Sequence, residues 1–319
     1  MISIVIPTYN SANTIEDCLD AIIKEIKKSR ENVEVIIVDD ESKDDTIKLA
    51  GKYHVKIIKQ RHEGPAKARN KGWRVSKGEI VIFLDSDCKV GKNWLKNILN
   101  EFKDEKVGGA SVKYKTWNEN SWVARFVGYE TEQRHNKISK STNFLASYST
   151  AYRRNILEKN KGFDTSFGSA SGEDNELSYR IKKMGYKLIF LKNTFVWHRH
   201  SESLIKYFRK QYNHAFWRVF LYYKRPEFIK GDEYAGTKTL IQPFLYVLFL
   251  FSLFLSKYFF LFLLFSLLLI HLPSMKIPLR RKDYKVAALI PFLFFIRGFV
   301  WLIGMIFGSI FLINKKLKE

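Results

Sequence analysis

The stretch EIVIFLDSD, residues 79–87, decides the fold class. Its apolar run from Ile80 to Leu84 predicts a strand buried on both faces, and the run ends abruptly in acidic residues. The strand therefore places Asp85 and Asp87 at its carboxyl end, where open α/β sheets bind ligands. On an extended backbone, carboxylates two positions apart point to the same side and could share one Mg²⁺ or Mn²⁺. A helix-initiating turn is the alternative for an isolated Asp-x-Asp.

Two further apolar runs, residues 2–6 and 33–38, predict strands that alternate with helical patterns. This alternation predicts an α/β fold with a mainly parallel, Rossmann-like sheet and right-handed crossovers. Thr8 and Asp40 follow these strands, so they converge on the sheet edge that carries the Asp-x-Asp pair. Such convergence predicts a nucleotide site, and the lack of Gly-x-Gly-x-x-Gly in the sequence argues against a dinucleotide.

The composition changes sharply along the chain. Residues 1–202 mix charged and apolar residues as a soluble domain does, whereas residues 236–319 are rich in Phe, Leu and Ile. Within about 239–272 the only charge is Lys257, which predicts a hairpin of two membrane helices joined at Ser256-Lys257. The predicted C-terminal region is therefore a membrane anchor.

Two more C-terminal segments bear on the predicted topology. Residues 273–285 carry five basic residues and one acid, which predicts a cytoplasmic loop and a cytoplasmic soluble domain. Residues 286–313 form a third apolar segment that either spans once or turns back, and the basic tail from Lys315 to Lys318 favours turning back. The chain begins directly with a core strand, so we expect no signal peptide.

The net charge of +22 requires an anionic partner. The sequence has no helix-turn-helix, zinc-finger or RNP pattern, so we expect no nucleic acid. A lipid bilayer explains the charge better, because the basic residues adjoin apolar stretches. Residues 203–235 interleave aromatic and basic residues, which predicts an amphipathic interfacial helix and linker; a helix packed on the soluble domain is the alternative. Cys18 and Cys88 do not suggest a disulfide framework.

Four motifs in order resemble those of the family 2 glycosyltransferases of the GT-A fold. They are IVIPTYN at 4–10, VDDES at 38–42, GPAKARN at 64–70 and LDSD at 84–87. The resemblance extends over roughly residues 1–220. It implies a transfer of sugar from a nucleotide-diphospho-sugar, UDP- or GDP-linked, with Mg²⁺ or Mn²⁺ as cofactor.

The resemblance also implies roles for individual residues. Asp40 accepts a hydrogen bond from the nucleotide base, Arg69 helps to position the nucleotide, and Asp87, with Asp85, holds the metal on the diphosphate. The nucleotide-sugar site that it implies comprises Pro7, Thr8, Asn10, Asp40, Arg69, Asp85 and Ser86.

The acidic pair Glu173-Asp174 stands where the family has its Glu-Asp motif. The resemblance implies that Asp174 is the general base and that Glu173 orients or pairs. The alternative is structural, because acids in the first turn of a helix complement its dipole. His198 and His200 could share a strand face, and one could complete the metal shell. A surface or phosphate-contacting pair is favoured instead, because neutral imidazole is not a preferred Mg²⁺ ligand.

One departure from the family narrows the expected function. Processive members carry Gln-x-x-Arg-Trp, and residues 211–218, QYNHAFWR, do not match it. We therefore expect inverting transfer of one sugar to a lipid-linked or membrane-proximal acceptor at the cytoplasmic leaflet. One alternative is a polyprenyl-phosphate sugar synthase, whose ionised phosphate nucleophile needs no general base. The other is a catalytically inactive membrane scaffold.

Overall fold

The computed structural model describes residues 1–168, 171–230 and 238–317. The chain forms two compact units. The first comprises Met1–Trp117 and Ile138–Arg199, and the second comprises Asn118–Lys137 and His200–Glu319. Residues 118–137, inside the predicted catalytic domain, thus group with the C-terminal part. The domain limits at 202 and 235 remain a prediction.

The elements follow one another closely along the described chain. The strands are β1 (Ile2–Thr8), β2 (Val33–Asp39), β3 (Lys56–Lys59), β4 (Ile80–Leu84), β5 (Cys88–Val90), β6 (Val107–Thr116), β7 (Ser141–Thr142), β8 (Ser149–Arg153) and β9 (Lys187–His198). The helices are α1 (Ile15–Ser29), α2 (Thr46–Ala50), α3 (Pro65–Val75), α4 (Trp94–Glu101), α5 (Trp122–Lys137), α6 (Arg154–Lys159), α7 (Glu173–Lys183), α8 (Leu204–Lys224), α9 (Lys238–Leu255), α10 (Lys257–Leu269), α11 (Lys276–Arg280) and α12 (Tyr284–Lys316).

The strands of the first unit form one sheet, in the order β3-β2-β1-β4-β8-β6-β9-β5, with β7 beside β9. Strands β3, β2, β1 and β4 are parallel, and β8 then pairs antiparallel with β4. This confirms the predicted α/β, mainly parallel fold. Because β2 and β4 both flank β1, the carboxyl ends of these three strands lie side by side, which is where the sequence placed the ligand site.

Side-chain alternation divides the core of the first unit between the two faces of the sheet. Ile4 and Ile6 point to the face that carries α1 and α4, whereas Val5 points to the face that carries α3. A Cβ atom on Gly72 of α3 would lie 2.2 Å from Cγ1 of Val5. The glycine therefore lets α3 approach the sheet closely, and this helix carries Arg69.

The hydrophobic C-terminal helices break where the sequence predicted. Helix α9 ends at Leu255, and the Ser256 hydroxyl accepts the N–H of Tyr258 at the start of α10. The basic segment expected as a loop is instead largely helical, since a 3-10 helix (Leu272–Met275) leads into α11. Helix α12 continues through Pro291 and Arg297, so its backbone does not turn back between residues 284 and 316. Lys318 of the basic tail, and the side chains of Lys315 and Lys316, lie outside the described residues.

Two helices are long and apolar enough to cross a membrane by length and composition alone, Lys257–Arg280 and Tyr284–Asn314. The apolar helix Ile241–Leu255 is shorter. Only 11% of the apolar stretch of the first helix is buried within the protein, against 50% of that in α12. Helix α12 therefore buries a larger share of its apolar stretch against neighbouring helices than the first helix does.

Helix α8 packs along α12 over several turns. Cβ atoms on Gly304 and Gly308 would lie 2.7 Å from the carbonyl oxygen of Tyr212 and 2.6 Å from that of Phe216. The small residues, four positions apart, thus permit near-contact between the two backbones. The predicted interfacial helix is therefore packed on an apolar helix of its own unit. Contact with a bilayer remains a prediction, and residues 231–235 lie outside the described chain.

Helix α5 joins the same unit through charged contacts. Glu130 lies 2.8 Å from Nη1 of Arg297 on α12 and accepts the hydroxyl of Tyr207 on α8 at 2.9 Å. Nε of Arg125 donates to Asp283, the one acid of the basic segment, at 2.6 Å. These ion pairs explain why residues 118–137 belong to the second unit.

We expect Gly308→Val to lower the unfolding temperature of the detergent-solubilised protein, because the added side chain would meet the α8 backbone. Overpacking of this kind costs about 1–3 kcal/mol. The matched control is Ser309→Val, since Ser309 is exposed on the same turn. Equal melting temperatures for the two variants would show that the α8–α12 contact contributes little.

Candidate active site

Asp40, at the end of β2, is buried and hydrogen-bonded on both carboxylate oxygens. Oδ1 accepts the side-chain amide of Gln60 at 2.7 Å and the backbone N–H of Glu63 at 2.9 Å. Oδ2 accepts the N–H of Gly64 at 2.9 Å and lies 2.9 Å from Nδ1 of His62. The loop from Gln60 to Gly64 is thus folded across the residue expected to bind the base.

The loops after β1 and β2 hold each other through Asn10. Its N–H donates to the Ser42 hydroxyl at 2.9 Å, and its side-chain oxygen accepts the N–H of Lys43 at 2.8 Å. Asn10 has a φ of 48°, a left-handed conformation that Asn tolerates better than most residues. Thr8 is buried and Pro7 is partly buried beside it. Three of the expected site residues therefore lie together at the end of β1, where hydrogen bonds hold the chain to the loop after β2.

Arg69 lies in a buried, ion-paired environment. Its guanidinium is buried, with Nη2 2.9 Å from Oδ1 of Asp85 and Nη1 3.3 Å from Oε1 of Glu173. Phe163 lies beside it, with the ring centroid 5.7 Å from the guanidinium carbon. Arg69 thus joins the acid that follows β4 to the acid that opens α7. Its contact with a nucleotide remains a prediction.

Residues Asp85 to Asp87 form a tight turn, not the extended backbone expected. The N–H of Cys88 donates to the carbonyl of Asp85 at 3.1 Å, and β5 starts at once. Asp85 consequently faces Arg69, whereas Oδ2 of Asp87 lies 3.5 Å from Nε2 of His198. The hydroxyl of Ser86 lies 2.7 Å from that of Ser11. The alternative of a helix start is also wrong, because a strand follows.

One cluster in the described chain could hold a metal ion, formed by Asp87, Cys88 and His198, whose candidate ligand atoms lie within 4.8 Å of one another. Burial, followed by the charges of Asp87 and Asp85, raises the pKa of the Cys88 thiol in the metal-free site, whereas a bound metal ion would itself favour the thiolate. The other two candidate donors are a carboxylate and an imidazole, and the carboxylate suits Mn²⁺. His198 ends β9, and His200 lies beyond the strand in the second unit, so the two do not share a strand face.

Glu173 and Asp174 open α7 directly after Gly172, which has a φ of 106°. Glu173 is only 1% exposed, whereas Asp174 is partly exposed. Burial raises the pKa of both carboxyls; the charge of Asp174 raises that of Glu173 further, and Arg69 opposes both shifts. The pairing of Glu173 with Arg69 agrees with its expected orienting role. Asp174 as general base remains a prediction.

Two aromatic residues near Asp40 were not expected as site residues. The rings of Tyr9 and His62 stack with centroids 4.1 Å apart and an interplanar angle of 28°. Tyr9 lies inside the first quoted motif, which was the available signal. No local sequence pattern marks His62, because Asp40, with which its ring hydrogen-bonds, lies 22 residues earlier in the chain.

The parallel sheet edge, with its acids and buried arginine, fits an enzyme of the class that uses nucleotide-sugars. Residues 3–160 match the family described as "Glycosyl transferase family 2". The chain is therefore a family 2 glycosyltransferase with a GT-A fold.

The chain is similar to curated glycosyltransferases in sequence. It is 28% identical over 219 residues to "Glycosyltransferase AglE" of Haloferax volcanii, covering 65% of this chain and 71% of that one. It is 27% identical to "Probable glycosyltransferase YdaM" of Bacillus subtilis, covering 76% of this chain and 58% of that one. It is 29% identical to "Poly(ribitol-phosphate) beta-glucosyltransferase" of Bacillus spizizenii, of which it spans only 26%.

Solved structures agree with the fold. The mannosyltransferase PcManGT from Pyrobaculum calidifontis, in complex with GDP-Man and Mn²⁺, superposes with a TM-score of 0.56 at 24% identity over 71% of this chain and 64% of that one. GalNAc-T7 with UDP, GalNAc and Mn²⁺ gives 0.52 at 21% identity, over 71% of this chain and 50% of that one.

We expect Arg69→Met to destabilise the protein, because it leaves the buried carboxylate of Glu173 and the partly exposed one of Asp85 without their shared cation. Removing one partner of a buried ion pair costs about 3–5 kcal/mol. Thermal unfolding in detergent measures the loss. Arg74→Met is the matched control, since Arg74 is exposed on the same helix. A shift no larger than that of the control would rule out a structural role for the Arg69 pair.

Proposed function

We propose that this glycosyltransferase transfers one sugar, with inversion, from a UDP- or GDP-linked donor to a lipid-linked glycan at the cytoplasmic leaflet. The observation that carries the proposal is the ion-paired arrangement of Asp85, Arg69 and Glu173. It joins the acidic turn after β4 to the start of α7, which supports a single site shared by the proposed donor-side and acceptor-side acids.

In the proposed reaction Asp174 removes the proton of the attacking acceptor hydroxyl. The acceptor oxygen forms a bond to the anomeric carbon, the bond to the donor diphosphate breaks, and its electron pair leaves with the diphosphate. A raised pKa makes Asp174 a stronger base than an ordinary carboxylate. Glu173, held by Arg69, fixes the first turn of α7 and thereby orients Asp174.

Asp87 and Asp85 are the proposed ligands of Mg²⁺ or Mn²⁺, and the position of His198 makes it a candidate third ligand. A bound divalent ion supplies positive charge to the leaving diphosphate. PcManGT is in complex with GDP-Man and Mn²⁺, and GalNAc-T7 with UDP, GalNAc and Mn²⁺, which supports a donor of this kind and this ion.

The proposal of a lipid-linked acceptor depends on two features of the second unit. Its apolar helices are candidates for an anchor, and basic residues adjoin them. The poly(ribitol-phosphate) beta-glucosyltransferase relative acts, by its name, on a phosphate-rich polymer. A polyprenyl-phosphate acceptor is the second candidate, and it differs chemically because a phosphate oxygen is already ionised and needs no base.

The decisive measurement is transfer and donor hydrolysis by the detergent-solubilised protein with Mn²⁺, across UDP- and GDP-sugars. We expect Asp174→Asn to lower kcat by about 10²–10⁴, the usual contribution of general-base catalysis. We expect Asp87→Ala to abolish metal-dependent turnover.

A raised pKa keeps the Asp174 carboxyl protonated, and so inactive as a base, up to a higher pH. On acidification, activity should therefore fall at a higher pH than it would with an ordinary Asp as the base.

Two results of this measurement would redirect the proposal. Full activity of Asp174→Asn would move the base elsewhere or favour a phosphate acceptor. No turnover and no nucleotide binding by the folded protein would favour an inactive scaffold. Glu158→Gln serves as the matched control, because Glu158 is exposed on α6.

The proposed topology places the turn at Ser256 outside and the basic segment inside the cytoplasm. The native thiols Cys18 and Cys88 are fully buried, so a membrane-impermeant thiol reagent should report only introduced cysteines. We expect Ser256→Cys to be labelled on intact cells, and Ser274→Cys only after permeabilisation. Equal labelling of both on intact cells would contradict the cytoplasmic placement.

A further inference from the structure

The imidazole of His62 lies where the structure offers a nucleobase both a stacking surface and an acceptor. Its ring covers Tyr9 at a centroid distance of 4.1 Å, and its Nδ1 lies 2.9 Å from Oδ2 of Asp40. A centroid distance of about 4 Å leaves no room for another ring between the two. A base cannot therefore stack on this face of Tyr9 while His62 remains in place.

The hydrogen bonds of Asp40 lead to the same conclusion independently. A carboxylate offers about four acceptor positions, and here four nitrogen atoms surround its two oxygens. The one on His62, Nδ1, lies 2.9 Å from Oδ2 and also hydrogen-bonds to the backbone carbonyl of Asp40 at 3.2 Å. Two of the four are backbone N–H groups of Glu63 and Gly64, which the chain path fixes. The exchangeable donors are the side chains of Gln60 and His62.

His62 is the donor best able to leave. Its side chain is 53% exposed, whereas that of Asp40 is 5% exposed. Hydrogen bonds of Asn10 with Ser42 and Lys43 hold the segment that carries Tyr9, so the tyrosine is the fixed member of the stacked pair. Oε2 of Glu41 accepts the backbone N–H of His62 at 3.3 Å, a hydrogen bond that does not involve the imidazole.

The geometry points to His62 as an internal substitute for the nucleobase. In the free enzyme it stacks on Tyr9 and donates to Asp40, and donor binding exchanges it for a planar base with its own ring N–H. Uracil and guanine both supply such a ring and donor. The inference rests on the proposed function, because it assumes that the base binds at Asp40, and it adds a competing residue that sets donor affinity.

The exchange predicts an effect opposite to that of an ordinary binding residue. We expect His62→Ala to bind UDP or GDP, with Mn²⁺, about three- to tenfold more tightly, because the competing hydrogen bond and stack are gone. His62→Phe keeps a ring but lacks the donor, so its Kd should fall between those of the wild type and His62→Ala. His54→Ala is the matched control, since His54 is exposed away from Asp40. Titration calorimetry of the full chain measures each Kd.

Chemical modification of histidine by diethylpyrocarbonate gives a second readout on the unaltered protein. Nucleotide binding should increase modification of His62, read by peptide mass spectrometry against His54. Protection of His62, or weaker binding by His62→Ala, would overturn the inference and make His62 a direct contact of the base. If the wild type binds neither nucleotide, the proposed function fails instead, so the two failures are distinguishable.

Discussion

The buried guanidinium of Arg69 is the interaction on which the site depends. Taking a charge out of water is expensive, and it is tolerated here because two carboxylates surround the guanidinium. Those carboxylates come from residues 85 and 173, far apart in the chain. The close approach of α3 to β1 at Gly72 sets the position of the arginine. The packing of α3 on the sheet therefore also determines where the positive charge of the site lies.

Local sequence patterns predicted much of this structure, because burial of apolar runs is a local signal. The apolar runs that became β1, β2 and β4 specified three neighbouring strands of the parallel half of the sheet. The acidic turn was different. An extended path was expected at Asp85–Asp87, but β5 pairs with β9, which lies more than 100 residues later. The pairing of two such distant strands cannot be predicted from the sequence of the short segment that forms the turn.

Long-range contacts also explain what the sequence could not provide for Arg69, His62 and α8. A buried arginine and an exposed one look alike in a motif, and the partner of His62 is set by how a loop folds over Asp40. The basic and aromatic residues of α8 suggested a membrane interface, whereas its observed neighbour is α12. Gly304 and Gly308 were visible in the sequence, but glycine spacing does not identify which helix it will face.

The interleaving of the two units has a consequence for how the protein is made. The chain leaves the first unit after Trp117 and re-enters it at Ile138. Helix α5 is therefore synthesised after β6 and before β7, between two strands of the catalytic sheet. The contacts of α5 with Asp283 and Arg297 lie 158 and 167 residues downstream. Because synthesis proceeds from the N-terminus, α5 leaves the ribosome long before α12 exists. Its apolar face, which includes Phe126, must meanwhile be shielded by something other than its final partners.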